Sequence, residues 1–217
     1  MPPEPKRVRQ EVAPGVWLDA ARALYFKEHG TLVLADLHWG YARSFRARGH
    51  LYPHWGDAQL RAALLELLEA YTPARMIWLG DALHDAAGRE PAEEFLASLD
   101  PSLEQVVLSG NHDRGWPAVT ADSCRLGRYV FHHGHQKFSE PRREGDIEVV
   151  GHFHPALSWG DGAGLRLKLP VLVQEPGRWI VPALSPWAAG TDWTPHLKGE
   201  DRVWLLSPRR IFSWRAG

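Results

Sequence analysis

Val106-Val107-Leu108-Ser109-Gly110-Asn111-His112-Asp113 opens as an apolar run and closes with an amide, an imidazole and a carboxylate on one turn. A short apolar run bounded by glycine reads as a buried strand that releases polar groups at its carboxyl end. Taken alone, Asn-His-Asp after a glycine is also ordinary turn chemistry, because Asn and Asp side chains bond the nearby backbone. Four more stretches repeat the arrangement. Leu32-Val33-Leu34 precedes Asp36-Leu37-His38, and Met76-Ile77-Trp78-Leu79 precedes Gly80-Asp81. Tyr129-Val130-Phe131 precedes His132-His133-Gly134-His135, and Ile147-Glu148-Val149-Val150 precedes Gly151-His152-Phe153-His154. Ligands of α/β sheets bind in the crevice beyond the carboxyl ends of the strands, so these five runs would bring their polar groups to one edge.

Around these runs, strand and helix patterns alternate. Val16–Asp19, Ala23–Phe26, Thr31–Ala35, Arg75–Leu79 and Gln105–Leu108 read as strands. From Asp57 to Tyr71 apolar residues recur at Leu60, Leu64, Leu67 and Leu68, the one-sided spacing of a helix that Pro73 then ends. Pro91–Leu99 reads as a second, short helix. From Arg128 onward strands dominate, at Tyr129–Phe131, Ile147–Val150, Leu165–Leu169, Val171–Gln174, Arg178–Val181, Arg202–Leu206 and Ile211–Trp214, separated by glycine, proline and aspartate. The expectation is a layered α/β sandwich: a βαβ first half forms one sheet, the strand-rich second half a facing sheet, and helices lie outside. Residues 11–217 form a single domain behind a loose tail over residues 1–10, with no internal repeat.

The chain has 217 residues, 44% of them hydrophobic, enough to bury a core and to build an enzyme. A formal charge of -1 creates no global field for nucleic acid or an anionic membrane, leaving only local patches. Cys124 is the single cysteine, which excludes an internal disulfide and a thiolate metal cage and fits a reducing, cytoplasmic compartment. The proline-rich, basic Met1–Gln10 is neither signal peptide nor anchor, and no apolar stretch approaches a membrane span. Most of the 11 tryptophans alternate with apolar neighbours and read as core or sheet packing, while Trp39 and Trp116 adjoin the polar clusters and are expected to line a pocket.

The converging set is Asp36, His38, Asp81, Asn111, His112, His133, His135, His152 and His154, with His84 and His132 nearby. For any one histidine, a hydrogen-bonded turn residue is the simpler account. The whole set holds too many imidazoles for one metal ion. Nitrogen and oxygen donors without sulfur suit Mn, Fe or Zn, and the number of donors suits two ions bridged by one carboxylate. Two ions about 3.5–4 Å apart clamp an in-line displacement at phosphorus.

On these residues the chain resembles the calcineurin-like metallophosphoesterases, whose motifs run Asp-x-His, Gly-Asp, Gly-Asn-His-Asp/Glu, a His before Gly-His, and Gly-His-x-His. All five stand here in order, as Asp36/His38, Gly80/Asp81, Gly110 to Asp113, His133-Gly134-His135 and Gly151 to His154. Ala35 to Gly40 followed by Ser44 to Gly49, with Trp179 to Gly190, is similar to the narrower group of bacterial DNA-ligase-associated phosphoesterases. The resemblance implies a four-layer αββα sandwich, two facing mixed sheets flanked by helices. It also implies a metal-dependent phosphoesterase that hydrolyses phosphodiesters through a dinuclear centre and a bridging hydroxide, with two divalent ions, Mn before Fe or Zn. It assigns Asp36, His38 and His154 to one ion, Asn111, His133 and His152 to the other, and Asp81 to both. His112 stays off the metals and stabilises the transferring phosphoryl or protonates the leaving oxygen.

One departure matters. The phosphoprotein phosphatase branch carries Gly-Asp-x-x-Asp-Arg-Gly, whereas this chain has Gly80-Asp81-Ala82-Leu83-His84-Asp85, which argues against protein-phosphatase activity. His84 becomes a substrate contact or a support behind the ligands, and His135 joins it among the substrate contacts. Arg43, Arg46 and Arg48 follow the first motif closely enough to hold flanking phosphates, the plainer alternative being a solvated face. Expected partners are a phosphoester substrate, nucleic acid and, by resemblance, a DNA ligase or helicase, with no membrane. The alternatives are a phosphomonoesterase acting on a small metabolite or nucleotide, and a non-catalytic, metal-stabilised partner of a ligase or helicase.

Overall fold

The computed structural model describes residues 7–137, 141, 143–160, 163–164, 166–188 and 190–215. The first sheet places β1 (Arg9–Ala13), β2 (Val16–Asp19), β3 (Ala23–Phe26), β4 (Thr31–Leu34), β5 (Arg75–Trp78) and β6 (Glu104–Val107) side by side in chain order. β1 to β4 form an antiparallel meander, and β4, β5 and β6 run parallel. Parallel neighbours need crossovers. These are α1 (Tyr41–Ala47) and α2 (Gly56–Tyr71) between β4 and β5, and α3 (Arg89–Ala97) between β5 and β6.

The period of two along each strand divides the core. Leu32, Leu34, Met76 and Trp78 pack against Leu60, Leu64, Leu67 and Phe95 of the helices. Val33, Ala35, Ile77 and Leu79 point the other way, against Phe131, Val149, Leu172, Trp179 and Trp204 of the second sheet. That sheet contains β7 (Ser123–Leu126), β8 (Tyr129–His132), β9 (Ile147–Val150), β10 (Pro155–Gly160), β11 (Arg166–Glu175), β12 (Arg178–Ile180), β13 (Thr191–Asp192), β14 (Arg202–Ser207) and β15 (Arg210–Arg215). Its order is β13-β10-β11-β12-β9-β8-β7, with β14 joining β11 to β15. β8, β9 and β12 run parallel, so their carboxyl ends share one edge.

The two facing mixed sheets are those the sequence led us to expect, and the differences have local causes. Arg9 and Gln10 belong to β1 rather than to a tail, and Arg7 is paired with Asp19 at 2.6 Å; residues 1–6 lie outside the described residues. α1 carries no apolar stripe, because only Ala42 and Ser44 of it are buried. The two strands expected over Leu165–Gln174 are the single β11, Leu165 itself lying outside the described residues. Pro170, which has no N–H to give, stands where β11 exchanges β10 for β14 as its neighbour. The helices cover one side only: among the described residues the outer face of the second sheet carries Trp193 and a 3₁₀ turn at Thr194–His196 over Val150, Val171, Val173, Ile180 and Val203. No described helix is long and apolar enough to cross a membrane.

Candidate metal centre

Asp36 and His38 follow β4, Asp81 follows β5, Asn111 and His112 follow β6, His133 follows β8, and His152 and His154 follow β9. Five of these residues hold a left-handed backbone: Asp36 at φ 53°, His38 at 52°, Asp81 at 47°, His152 at 67° and His154 at 45°. Among the other described non-glycine residues only Arg22 and Thr72 do so. L-residues avoid this region, and such strain persists where the surroundings over-determine it. Here neighbouring turns hold one another, since His38 N donates to the Asp81 carbonyl at 3.0 Å and His152 N to Asp36 Oδ2 at 3.0 Å. Gly110 is required for close approach, because a Cβ there would collide with the backbone N and Oδ1 of Asp81.

Three groups of candidate donors lie among the described residues: His38, His84 and His112, all at the end of the first sheet, and two groups that draw on both sheets. Of those two, Asp36, His38 and His154 form the first and Asp81, His133 and His152 the second, the ligand atoms of each lying within 4.8 Å of one another. In the first, His154 Nε2 sits 3.2 Å from Asp36 Oδ1 and 3.3 Å from His38 Nε2. In the second, His133 Nδ1 donates to the Leu79 carbonyl at 2.9 Å, the tautomer that turns a lone pair on Nε2 toward Asp81 Oδ2, 3.1 Å away. A lone pair facing a carboxylate at that distance needs a positive charge, either a proton on the ring or a cation beside it. Among the described residues, His133 Nε2, His38 Nδ1 and Asn111 Oδ1 are buried without hydrogen-bond partners. Buried polar atoms are seldom left so, and these residues fit divalent cations.

His112 is positioned differently. Its backbone N–H donates to Asp81 Oδ1 at 2.9 Å and its Nδ1 donates to the His84 carbonyl at 2.6 Å. Nε2 is left facing the site, 4.0 Å from Asp81 Oδ2. Asp113 fixes the turn from beneath, its buried carboxylate accepting from Leu83 N at 2.8 Å and Gly110 N at 3.0 Å. Burial pushes the Asp113 carboxyl up.

The electrostatics favour donors ready for a cation at neutral pH. Burial holds the His38 imidazole down to about 4, against the pull of Asp36 and Asp81. Burial lowers His152 and His135 as well, with the neighbouring His133 adding to it. For Asp81, burial works upward, but the His133 ring and the His112 N–H outweigh it and hold the carboxyl at about 2. His133 is the counterpart: burial disfavours its charge, yet Asp81 and Asp36 raise its affinity for a proton. A cation would displace that proton.

His84 lies beside the centre, stacked on His112 with ring centroids 5.4 Å apart and packed against Tyr41 at 4.6 Å. His135 stands 5.3 Å from His133 and lines a cavity of about 250 Å³ with Asn111, Arg114 and Trp116. The three arginines point to local partners: Arg43 to Glu90 at 2.8 Å, Arg46 to the Pro53 carbonyl, and Arg48 to Asp85 at 3.3 Å. Trp39 does not line the site but packs into the helix-side core on Phe95, because the turn at His38 sends it inward. Overlooked in the sequence was the wall beyond His84, built by Tyr41, Phe45, Tyr52, Trp55 and Trp187.

The family model for calcineurin-like phosphoesterases matches residues 30–174. Among solved structures, the nuclease MPE of Pseudomonas putida is 26% identical, with a TM-score of 0.75 over 96% of this chain and 100% of that one. Yfce, a phosphoesterase from E. coli, is 15% identical, with a TM-score of 0.46 over 86% of this chain and 99% of that one. No curated protein matches the chain.

Proposed function

Because the chain belongs to the calcineurin-like phosphoesterase family and is a metal-dependent hydrolase of phosphoester bonds, we propose that it cleaves phosphodiesters of nucleic acid at a centre of two divalent ions. The observation that carries this is the pair of donor groups, Asp36/His38/His154 and Asp81/His133/His152, with the Nε2 of His112 facing the Asp81 carboxylate. Asn111 Oδ1 completes the second group, and manganese is the ion we assign to nitrogen and oxygen donors without sulfur. Bound ions supply Lewis acidity toward phosphoryl oxygens and acidify water. The nucleic-acid substrate is supported by the P. putida nuclease, whose fold and length this chain shares.

The chain's own residues supply positioning and proton transfer. Asp81, ionised well below neutrality, holds the His112 turn through its N–H, and the Leu79 carbonyl holds the His133 ring through Nδ1. The His84 carbonyl fixes His112 through Nδ1, so a cationic His112 has only Nε2–H left to give to the leaving oxygen. The test compares turnover of bis-p-nitrophenyl phosphate with that of p-nitrophenyl phosphate with Mn supplied, with and without a chelator. Metal-dependent turnover that favours the diester supports the proposal. Hydrolysis of the monoester alone, or of neither with Mn, Fe or Zn, overturns it.

A further inference from the structure

Next to the metal centre the chain builds a surface of aromatic rings that neither the fold nor the metal donors require. From His112 the rings run outward through His84 and Tyr41 to Trp187, which lies parallel to Tyr41 within 5° at 6.1 Å. Trp55 stacks on Trp187 at 5.2 Å, and Tyr52 meets Trp187 edge-on at 5.5 Å. The outermost ring is open, with Trp55 50% exposed. Two distant segments make this surface, and Gly56 is part of the reason: a Cβ there would strike the Trp187 indole at 2.4 Å from its neighbour in space, so only glycine lets Trp187 lie over the start of α2.

The same segment is basic. Tyr41 to Trp55 holds Arg43, Arg46 and Arg48 and no carboxylate of its own, although Glu90 pairs with Arg43 and Asp85 with Arg48 from outside it. Arg46 is bonded to the Pro53 carbonyl, a neutral group, so its charge is not cancelled there. Exposed rings interleaved with cations form the chemistry that holds a single strand, because every base offers a π-face and the backbone is anionic. A duplex offers no such face, since its bases are already stacked.

We propose that Tyr52, Trp55 and Trp187 form a base-stacking subsite, on which unpaired nucleotides next to the scissile phosphate lie while Arg46 faces the backbone. This rests on the nucleic-acid reading of the metal centre and adds residues that would hold bases rather than phosphorus. The rings continue without a break to His84 and His112, so a strand seated on Trp55 leads toward the metal donors.

The test uses the Mn-loaded protein in a His112→Ala background, so that the strand stays intact, and measures binding of a thymidine oligonucleotide and of an abasic strand of equal length and charge. Trp55→Ala should weaken binding of the thymidine strand about 5- to 100-fold, the range for one lost base stack, and weaken the abasic strand distinctly less. Trp55→Phe should restore most of the difference and so exclude a folding defect. Equal losses for both strands, no loss for either, or the same Trp55 dependence with a blunt duplex would overturn the subsite. If the wild-type protein hydrolysed no diester, the functional reading would fail by itself, while the contrast between thymidine and abasic strands would still decide the subsite.

Discussion

The Nε2 atoms of His38 and His154 lie 3.3 Å apart, one from each sheet, with Asp36 Oδ1 3.2 Å from the second. Two imidazoles aimed at each other beside a carboxylate are held together best by a cation. Removing divalent ions should therefore abolish hydrolysis and lower Tm, and restoring Mn at about a hundred times Kd should raise Tm by roughly 5–10 °C for each ion bound. Metal analysis should give two ions per chain. One ion in a fully active sample would defeat the two-ion assignment.

Asp81 and His112 touch each other yet should fail differently. Asp81→Asn removes the charge that faces His133 and the His112 turn, so metal content and activity should fall together. His112→Ala should keep both ions and lose about 10²- to 10⁴-fold in turnover. Metal content measured alongside kcat separates the two, and loss of metal in His112→Ala would move that imidazole among the ligands.

In the metal-free protein the stability of the centre should depend on pH through His38. Its folded pKa is depressed to about 4, while an unfolded histidine titrates near 6.5. Between those values the unfolded state binds the extra proton, so stability falls as pH drops from 6.5 to 4, by up to about 3 kcal/mol, and levels off below. His133, whose proton affinity is raised, acts in the opposite direction as pH rises above 6.5. Thermal melts in chelator should show that acid slope in wild type and a flatter one in His38→Gln. Parallel profiles for the two proteins would contradict it.

The arginines should contribute unequally to nucleic-acid binding. Arg43 is tied to Glu90 and Arg48 to Asp85, whereas among the described residues Arg46 is bonded to a carbonyl and to no carboxylate. Arg46→Gln should raise KM for an oligonucleotide and reduce the slope of log K against log salt by about one unit, as for one phosphate contact. Arg43→Gln should change either quantity much less. No effect of either substitution would place the cluster on a merely solvated face, and equal losses would overturn the distinction between Arg46 and Arg43.

What the sequence revealed depended on how local each cause is. The five strand-end clusters were legible because an apolar run and the polar turn after it are adjacent in the chain, and Asp36, Asp81, Asn111 and His133 emerge where those runs end. The left-handed backbone of Asp36, His38, Asp81, His152 and His154 was not, since no residue type there announces it and the neighbouring turns impose it. Trp39 shows the limit of adjacency: it follows His38 in sequence and faces the opposite side of the sheet. Trp55 and Trp187 could not be paired in advance, because only the docking of distant segments stacks them. α1 escaped notice because its buried residues are small.

The Asp36 and Asp81 donor groups each take members from both sheets, and this bears on the order in which the chain folds. Neither half of the polypeptide can assemble a complete set, since Asp36 and His38 wait for His154, and Asp81 waits for His133 and His152. High-affinity ion uptake should therefore be a late event in refolding, coincident with closure of the interface between the sheets. Ions present from the start would not seed the fold but would slow its reopening, which makes the rate of metal release a clock for the separation of the two sheets.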